Sequence, residues 1–208
     1  MLMTKKSLAI YLSGLEVFEK PDIKLEQYPT DSEIASSILW HAYMLGDIEG
    51  KRIVDLGAGT GILGIGAIFL GAKHVVFVET DEMAVKILKE NLADMNNCET
   101  DMNKYKIVQD DALKYTLKAD LVIQNPPFGT RQKHLDKEFL EHAMTLSPVV
   151  YSFHKTATLD YIKKLCAKNK FSITEEWDFN FPLRKTYSHQ TKKIERVKVS
   201  CLRIVIGA

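Results

Sequence analysis

The chain has 208 residues, of which 46% are hydrophobic and 26% are charged, and this is enough for one globular domain with a substantial core. It contains no apolar run of the ~20 residues that a membrane helix needs, and its N-terminus lacks the pattern of a signal peptide. Its three scattered cysteines, Cys98, Cys166 and Cys201, argue against a disulfide framework and a cysteine zinc site. We therefore predict a soluble, cytoplasmic protein without a metal site or a membrane contact.

The formal net charge of +1 hides an uneven distribution. Residues 131–208 carry 15 Lys and Arg against 8 Asp and Glu, whereas residues 1–130 carry 13 against 19. A positive surface beside a reaction site suits a polyanion such as RNA. The alternative is that the asymmetry is a chance property of the surface composition.

The first fifty residues predict an N-terminal helical cap. A short helix is expected around Lys6–Leu12. A second helix follows, for which either Thr30 with Glu33 or Asp31 alone is a plausible cap. Its apolar residues recur at helical spacing, at Ile34, Ile38, Leu39 and Ala42.

From residue 51 the pattern alternates between strand and helix. Short apolar strands are predicted at Arg52–Leu56, His74–Glu79, Tyr105–Gln109, Asp120–Gln124 and Val149–Phe153. Amphipathic helices are predicted at Gly61–Leu70, Met83–Asn91, Lys137–Met144 and Thr156–Asn169. Such alternation indicates parallel strands that are covered on both faces.

After residue 170 the alternation ends. Phe171–Trp177 and Val197–Ile206 predict two strands that are antiparallel to each other at one end of the sheet. The fold class is therefore α/β: a doubly wound, mostly parallel sheet of seven strands with an antiparallel C-terminal hairpin. We expect a single domain over residues 1–208, with the α/β core at residues 51–208.

A glycine-rich turn, Val54–Gly64, joins the first strand to the first helix of this core. Glycines there permit a tight turn and the close approach of a ligand. The spacing Gly59-x-Gly61-x-x-Gly64 also fits the dinucleotide fingerprint, and Glu79 could hold a ribose in either case. Gly64 could instead serve only the close packing of the helix on the sheet. The glycines alone therefore do not separate NAD from another nucleoside cofactor.

Three features favour S-adenosylmethionine over NAD. Asp55, in the turn, would repel a pyrophosphate but could bind the methionine ammonium. Asp111, after the third strand, could accept a hydrogen bond from an adenine amino group. Asn125–Phe128 offers a site for an amine, and no residue suggests hydride chemistry. Asp81 is expected to cap the next helix rather than bind a ligand, and Asp110 to be exposed.

The apolar run that begins at Leu121 ends in Asn125, two prolines and Phe128. Pro126 and Pro127 lack backbone donors, so they end the strand. The Asn125 side-chain oxygen and the Pro126 carbonyl could accept hydrogen bonds from one planar NH₂ group, while Phe128 stacks on a flat ring. Both the exocyclic amine of a nucleobase and a carboxamide suit such a site. The alternative is that Asn-Pro-Pro is only a turn.

Along the chain, the motifs are Asp-Leu-Gly-x-Gly-x-Gly, an acidic strand end, Asp-Ala and Asn-Pro-Pro-Phe. Their order resembles that of the class I S-adenosylmethionine-dependent methyltransferases that methylate amino groups. Four segments are together similar to the archaeal and eukaryotic methyltransferase-like enzymes that make N6-methyladenosine in small-subunit ribosomal RNA: Leu25–Thr30, Asn125–Thr130, Val150–Lys155 and Tyr187–Lys193. The resemblance covers nearly the whole chain from residue 25. It implies S-adenosylmethionine as the cofactor, S-adenosylhomocysteine as its product and rRNA as the substrate. It also implies a small zinc-containing partner, a Trm112-like protein, that covers a hydrophobic sheet edge.

The motifs and the resemblance together give the expected site. The cofactor-binding residues are Gln27, Tyr28, Thr30, Asp55, Gly57, Ala58, Gly59, Thr60, Gly61, Glu79, Thr80, Asp111, Ala112 and Asn125. The catalytic residues are Asn125, Pro126, Pro127 and Phe128, and the substrate-binding residues are Phe128, His154, Lys155 and Lys185. The other hypotheses are a protein glutamine N-methyltransferase, a non-catalytic nucleotide-binding or partner subunit, and an NAD-dependent oxidoreductase.

Overall fold

The computed structural model describes residues 3–18, 29–96, 102–128, 135–183 and 195–207. The described helices are α1 (Lys5–Ser13), α2 (Ser32–Met44), α3 (Ile62–Phe69), α4 (Glu82–Asn96), α5 (Leu135–Leu146) and α6 (Leu159–Lys168). The described strands are β1 (Arg52–Leu56), β2 (His74–Glu79), β3 (Tyr105–Gln109), β4 (Leu121–Gln124), β5 (Val149–Lys155), β6 (Phe171–Leu183) and β7 (Glu195–Ile206). None of the helices in these ranges is long and apolar enough to cross a bilayer.

The seven strands form one sheet in the order β3-β2-β1-β4-β5-β7-β6. The strands from β3 to β5 pair in parallel, whereas β7 is antiparallel to both β5 and β6. The predicted α/β fold, with its antiparallel C-terminal pair, is confirmed. Since the strand order reverses between β1 and β4, a crevice is expected where the carboxyl ends of these two strands diverge.

Each face of the sheet supports its own hydrophobic core. In β1, Ile53 belongs to the core that includes α1, α2 and α3, whereas Val54 and Leu56 belong to the core that includes α5 and α6. Successive residues of a strand point to opposite faces, so a strand that is covered on both faces needs an almost continuous apolar run. This requirement explains why the bounds of β1 and β2 coincide with the predicted ones.

Helix α3 lies close to the sheet because it contains glycines on its buried side. A Cβ atom on Gly64 would lie 2.3 Å from Cε1 of Phe77 in β2, and one on Gly66 would lie 2.3 Å from Cδ1 of Leu39 in α2. Distances this short are incompatible with a side chain unless the neighbours move. Gly64 therefore has the packing role that the sequence left open.

Several element boundaries differ from those predicted. The helix predicted from Thr156 begins at Leu159, because Thr156–Thr158 forms a 3₁₀ turn. Strand β6 continues past Trp177 to Leu183, paired with β7 over most of its length. Apolar residues alternate with other residues in Asp178–Leu183, which is a strand pattern. The charged and polar residues of this segment obscured that pattern.

Side-chain caps begin helices α2 and α4. Asp31 Oδ1 accepts hydrogen bonds from the backbone N–H groups of Glu33 and Ile34 at 3.0 and 3.3 Å, so Asp31 alone caps α2. Asp81 Oδ1 accepts from the N–H of Ala84 at 2.7 Å, which confirms that Asp81 caps α4. Each cap satisfies backbone donors that a helix N-terminus leaves without partners.

Candidate active site

A cavity of about 710 Å³ opens at the carboxyl ends of β1, β2 and β4, a size typical of small-molecule sites. Most of the expected cofactor residues line it: Thr30, Asp55, Gly57, Ala58, Gly59, Thr60, Glu79, Thr80, Asp111, Ala112 and Asn125. The rest of the Asn-Pro-Pro-Phe segment, Pro126–Phe128, lines it as well. The parallel topology brings these residues together, because all of their strands end at the same edge of the sheet.

Four expected residues contribute differently or cannot be placed. Gln27, Tyr28 and Lys185 lie outside the described residues. Gly61 does not line the cavity. It is the N-cap of α3 with a φ of 91°, and a Cβ there would lie 2.3 Å from Cδ1 of Leu88. Its role is to permit the turn.

His154 also does not line the cavity. It was expected near the substrate entrance, but its side chain is only 1% exposed. The Gln124 Nε2 atom donates to Ser152 Oγ at 2.9 Å, and Ser152 Oγ lies 2.8 Å from His154 Nε2. Burial lowers the pKa of the His154 imidazole to about 3, so the ring is neutral. The three side chains form a buried polar chain beside the end of β4.

Strand alternation is the signal that could have shown this burial. Residues 150, 152 and 154 of β5 share one face of the sheet, and Val150 belongs to the core that includes α5 and α6. Lys155 is on the opposite face, where its Nζ atom lies 5.9 Å from the ring centre of Phe128. The cation–π contact places Lys155 beside the cavity through Phe128.

Two carboxylates hold the glycine-rich turn in position. Asp55 Oδ2 accepts from the N–H of Gly64 at 2.8 Å, and Glu79 Oε2 accepts from the N–H of Gly59 at 2.7 Å. Glu79 Oε1 accepts from the N–H groups of Thr80 and Asp81 at 2.8 and 2.9 Å. Asp55 belongs to β1, as the predicted strand Arg52–Leu56 implies, and lies near the start of the turn.

Asp55 has a strongly perturbed carboxyl group. Burial raises the pKa of the Asp55 carboxyl to about 8; the hydrogen bond from Gly64 opposes this rise, and the negative charge of Glu79 adds to it. A nearby cation would stabilise the charged carboxylate and lower this pKa again. Such a cation could be the ammonium group of a methionine moiety.

Asp111 lies on the adjacent side of the cavity, after β3. One of its carboxylate oxygens, Oδ1, accepts from the N–H of Leu113 at 3.0 Å and caps the 3₁₀ turn Ala112–Lys114. The neighbouring Asp110 is exposed, as expected. Asp111 thus contributes a carboxylate to the lining from a fixed turn.

Asn125 presents an acceptor without a partner. Its Nδ2 atom donates to Thr30 Oγ1 at 3.0 Å, and its buried Oδ1 has no hydrogen-bond partner in the described part of the chain. A buried polar atom is rarely left unsatisfied, so the Oδ1 atom suits a donor that a ligand supplies. Phe128, which is 8% exposed, lines the same cavity and meets Phe181 edge-to-face at a centroid distance of 6.4 Å.

Sequence motifs missed several lining residues. These are Phe18, Pro29, Ile62, Leu63, Leu113, Lys114, Leu135, Glu138 and Phe139. The N-terminal segment and α5 contribute four of them, Phe18, Leu135, Glu138 and Phe139, from parts of the chain that are remote from the motifs. Only the packing of these segments around the crevice brings them to the cavity.

Known proteins with similar sequences or structures cover the whole chain. Residues 28–171 match the family described as conserved hypothetical protein 95. The chain is 36% identical over 207 residues to the rRNA N6-adenosine-methyltransferase Mettl5 of Drosophila melanogaster, which covers 97% of this chain and 96% of that protein. Its identity to METTL5 of Danio rerio is 35% over 208 residues, with 97% and 98% covered. A crystal structure from Pyrococcus horikoshii, of a protein proposed to be an RNA methyltransferase, has a TM-score of 0.89 at 41% identity, with both chains fully covered.

The sheet order, the acidic strand ends and the Asn-Pro-Pro-Phe segment define a class I methyltransferase that uses S-adenosylmethionine. An acidic cavity with a buried acceptor that no group in the described ranges satisfies fits this cationic cofactor together with an amine substrate. The chain belongs to the conserved hypothetical protein 95 family and to the Mettl5 family of rRNA N6-adenosine-methyltransferases.

Proposed function

We propose that the protein transfers a methyl group from S-adenosylmethionine to the N6 amino group of an adenosine in RNA, and that small-subunit rRNA is its substrate. One observation carries this proposal: Asn125 donates from Nδ2 to Thr30, and its buried Oδ1 atom, beside the cavity, has no hydrogen-bond partner among the described residues. This arrangement suits the capture of a planar NH₂ group, as on adenine. The proposed substrate also agrees with the names of two relatives that match nearly the whole chain, both rRNA N6-adenosine-methyltransferases.

The carboxylates of the cavity are proposed to hold the cofactor. Asp55 would bind the methionine ammonium, Glu79 the ribose hydroxyls and Asp111 the adenine amino group, with Gln27 and Tyr28 completing the pocket. When bound, S-adenosylmethionine supplies a methyl group on a positively charged sulfur. The glycine-rich turn contributes backbone that a ligand can approach closely.

The Asn-Pro-Pro-Phe segment is proposed to activate the target nitrogen. The lone pair of adenine N6 is delocalised into the ring, so this nitrogen is a poor nucleophile. Hydrogen bonds from its two protons to Asn125 Oδ1 and the Pro126 carbonyl would favour a pyramidal nitrogen whose lone pair is available. Phe128 would stack on the extruded base. Since the amine becomes acidic only after methylation, orientation and well-placed acceptors suffice without a strong general base.

Positive charge favours RNA over a protein substrate. Residues 131–208 carry an excess of seven positive side chains, 15 against 8. Lys155 lies beside Phe128, with its Nζ atom 5.9 Å from the ring centre. We propose that Lys155 and Lys185 contact phosphates next to the target adenosine. An rRNA substrate would make this a cytoplasmic enzyme.

A test of the function compares two acceptors in one assay. The purified chain is incubated with methyl-labelled S-adenosylmethionine and either small-subunit rRNA or glutamine-containing ribosomal and release-factor peptides, and products are identified by mass spectrometry. Labelled N6-methyladenosine in the RNA is the expected result. Label on a glutamine amide would make the glutamine N-methyltransferase correct, because a carboxamide fits the same acceptors. Cofactor binding without transfer to either acceptor would favour a non-catalytic subunit.

We further propose that a small Trm112-like protein covers the outer edge of β3. In the described part of the chain, β3 pairs with β2 only, and it stands at the end of the sheet. The outer edge of an end strand is a template for another chain, and the half-buried Ile107 belongs to this strand. Co-expression should raise the melting temperature and the methylation rate. Co-expression that raises neither would contradict this proposal.

A further inference from the structure

The N-terminal segment is fastened to the glycine-rich turn by one buried side chain. Asn91 of α4 is 1% exposed. Its Oδ1 atom accepts from the N–H of Glu16 at 2.8 Å, and its Nδ2 atom donates to the carbonyl of Glu16 at 3.0 Å. The same Nδ2 atom donates to the carbonyl of Thr60 at 2.9 Å. Asn91 therefore links the backbone of residue 16 to the turn that lines the cavity.

Phe18 lies close to this linkage in the sequence and lines the same cavity as Thr60. Phe18 follows Glu16 by two residues, and its half-buried side chain lines the cavity together with Thr60. Leu15, by contrast, packs against the hydrophobic core that includes α1 and α2. Among the described residues, Phe18 belongs to neither core cluster. Its aromatic ring is thus available to a ligand and does not serve as core packing.

We propose that Phe18 contacts the bound cofactor and that Asn91 is the residue that positions it. This inference rests on the proposed function, because it requires S-adenosylmethionine to occupy this cavity. An aromatic ring supplies apolar contact area to the adenosine or methionine portion, and its face attracts a positively charged group such as a sulfonium. Asn91 acts without touching the cofactor: it fixes the backbone from which Phe18 projects, relative to the turn that contains Thr60.

The first experiment measures binding of S-adenosylhomocysteine and S-adenosylmethionine by isothermal titration to the wild type and to Phe18→Ala. The expected result is affinity that is about tenfold weaker in the variant, as for the loss of part of a buried aromatic contact. Val17→Ala is the matched control: Val17 is the neighbouring residue, is 39% exposed and does not line the cavity. Its affinity should equal that of the wild type.

The second experiment tests whether Asn91 acts through Phe18. Asn91→Ala and Asn91→Asp should each weaken the binding of S-adenosylhomocysteine. The double variant Phe18→Ala, Asn91→Ala should have the same affinity as whichever of its two single variants binds less tightly. A multiplicative loss would show that Asn91 acts through the glycine-rich turn alone, and would overturn its assignment as the residue that positions Phe18.

A fluorescence readout keeps the inference testable if the Asn91 variants fail to fold. Phe18→Trp should change its emission on addition of S-adenosylhomocysteine, after subtraction of the wild-type signal, whereas Val17→Trp should not. If the wild type binds and methylates while Phe18→Ala binds normally and the tryptophan is silent, the inference is wrong and the proposed function stands. If the wild type binds neither ligand, both fail together.

Discussion

The Nδ2 atom of Asn125 lies 3.0 Å from the hydroxyl of Thr30, across 95 residues of sequence. This hydrogen bond joins the residue that follows β4 to the residue before the cap of α2. Because the hydroxyl fixes one end of the amide, the Oδ1 atom has one defined direction. The N-terminal helical region therefore contributes to the active site, because Thr30 orients the Asn125 acceptor on which the proposed reaction depends.

Removing the Thr30 hydroxyl should slow methylation. Thr30→Val keeps the shape of the side chain but loses the hydrogen bond, so the Asn125 amide gains rotational freedom. We expect the rate constant for transfer to fall about fivefold, the effect of one hydrogen bond of roughly 1 kcal/mol. Thr30→Ser restores the hydroxyl and should recover most of the rate. Equal rates for the Val and Ser variants would contradict the orienting role.

Replacing Asn125 should separate chemistry from cofactor binding. Asn125→Ala removes the acceptor for the amino group, and we expect a loss of about 100-fold or more in the rate of transfer, as for other oriented transition-state contacts. The dissociation constant for S-adenosylhomocysteine should change by less than about threefold, that is, by under roughly 1 kcal/mol. A similar loss in both quantities would argue that Asn125 mainly holds the cofactor.

Cofactor affinity should depend on pH through Asp55. Burial raises the pKa of this carboxyl to about 8 in the free protein, so a proton must leave before the carboxylate can bind an ammonium group. Affinity should therefore tighten as the pH rises from about 5.5 to 7.5, by up to about tenfold per unit. Titrations in buffers with different ionisation enthalpies should show a proton released on binding. Asp55→Asn should bind weakly with no such release.

The stability of the free protein should decrease, through the Asp55 carboxyl, over the pH range in which cofactor affinity increases. The folded-state pKa of Asp55 lies above its ordinary value of 3.8, so its contribution favours folding at low pH and is lost as the pH rises through about 8. Thermal melts should therefore show that raising the pH destabilises the free wild type more than Asp55→Asn. Saturating cofactor should reduce this difference.

His154 should remain neutral across the working range of the enzyme. Burial lowers the pKa of its imidazole to about 3 from 6.5, so its contribution to stability is complete above 6.5 and is lost as the pH falls toward 3. The ring resonances of His154 should not titrate between pH about 5 and 9. His154→Gln should flatten the acid side of the stability profile, and a titration step assigned to His154 near 6.5 would refute its burial.

Gly64→Ala should destabilise the fold. The new methyl group would lie 2.3 Å from Cε1 of Phe77, so the helix or the ring must shift at a cost of about 1–3 kcal/mol. Chemical denaturation measures this loss. Phe77→Leu in the same chain removes the ring and should recover part of the stability, whereas an additive double variant would show that the contact is unimportant.

Local features of this protein could be predicted from its amino-acid sequence. Short, mostly apolar runs predicted the central strands β1 and β2, because a strand that is covered on both faces needs apolar side chains on both. The Asp81 cap was predictable as well, because a helix cap involves only residues within one turn. The sequence also predicted that the motifs lie together, because each follows a parallel strand at its carboxyl end.

Which distant groups meet depends on the packing of the whole chain. Thr30 could have capped α2, but Asp31 does so and Thr30 holds Asn125 instead. Asn91 binds the backbone of Glu16, which is 75 residues away in the sequence and two residues before the cavity-lining Phe18. These pairings depend on long-range packing, for which local composition and spacing carry no signal.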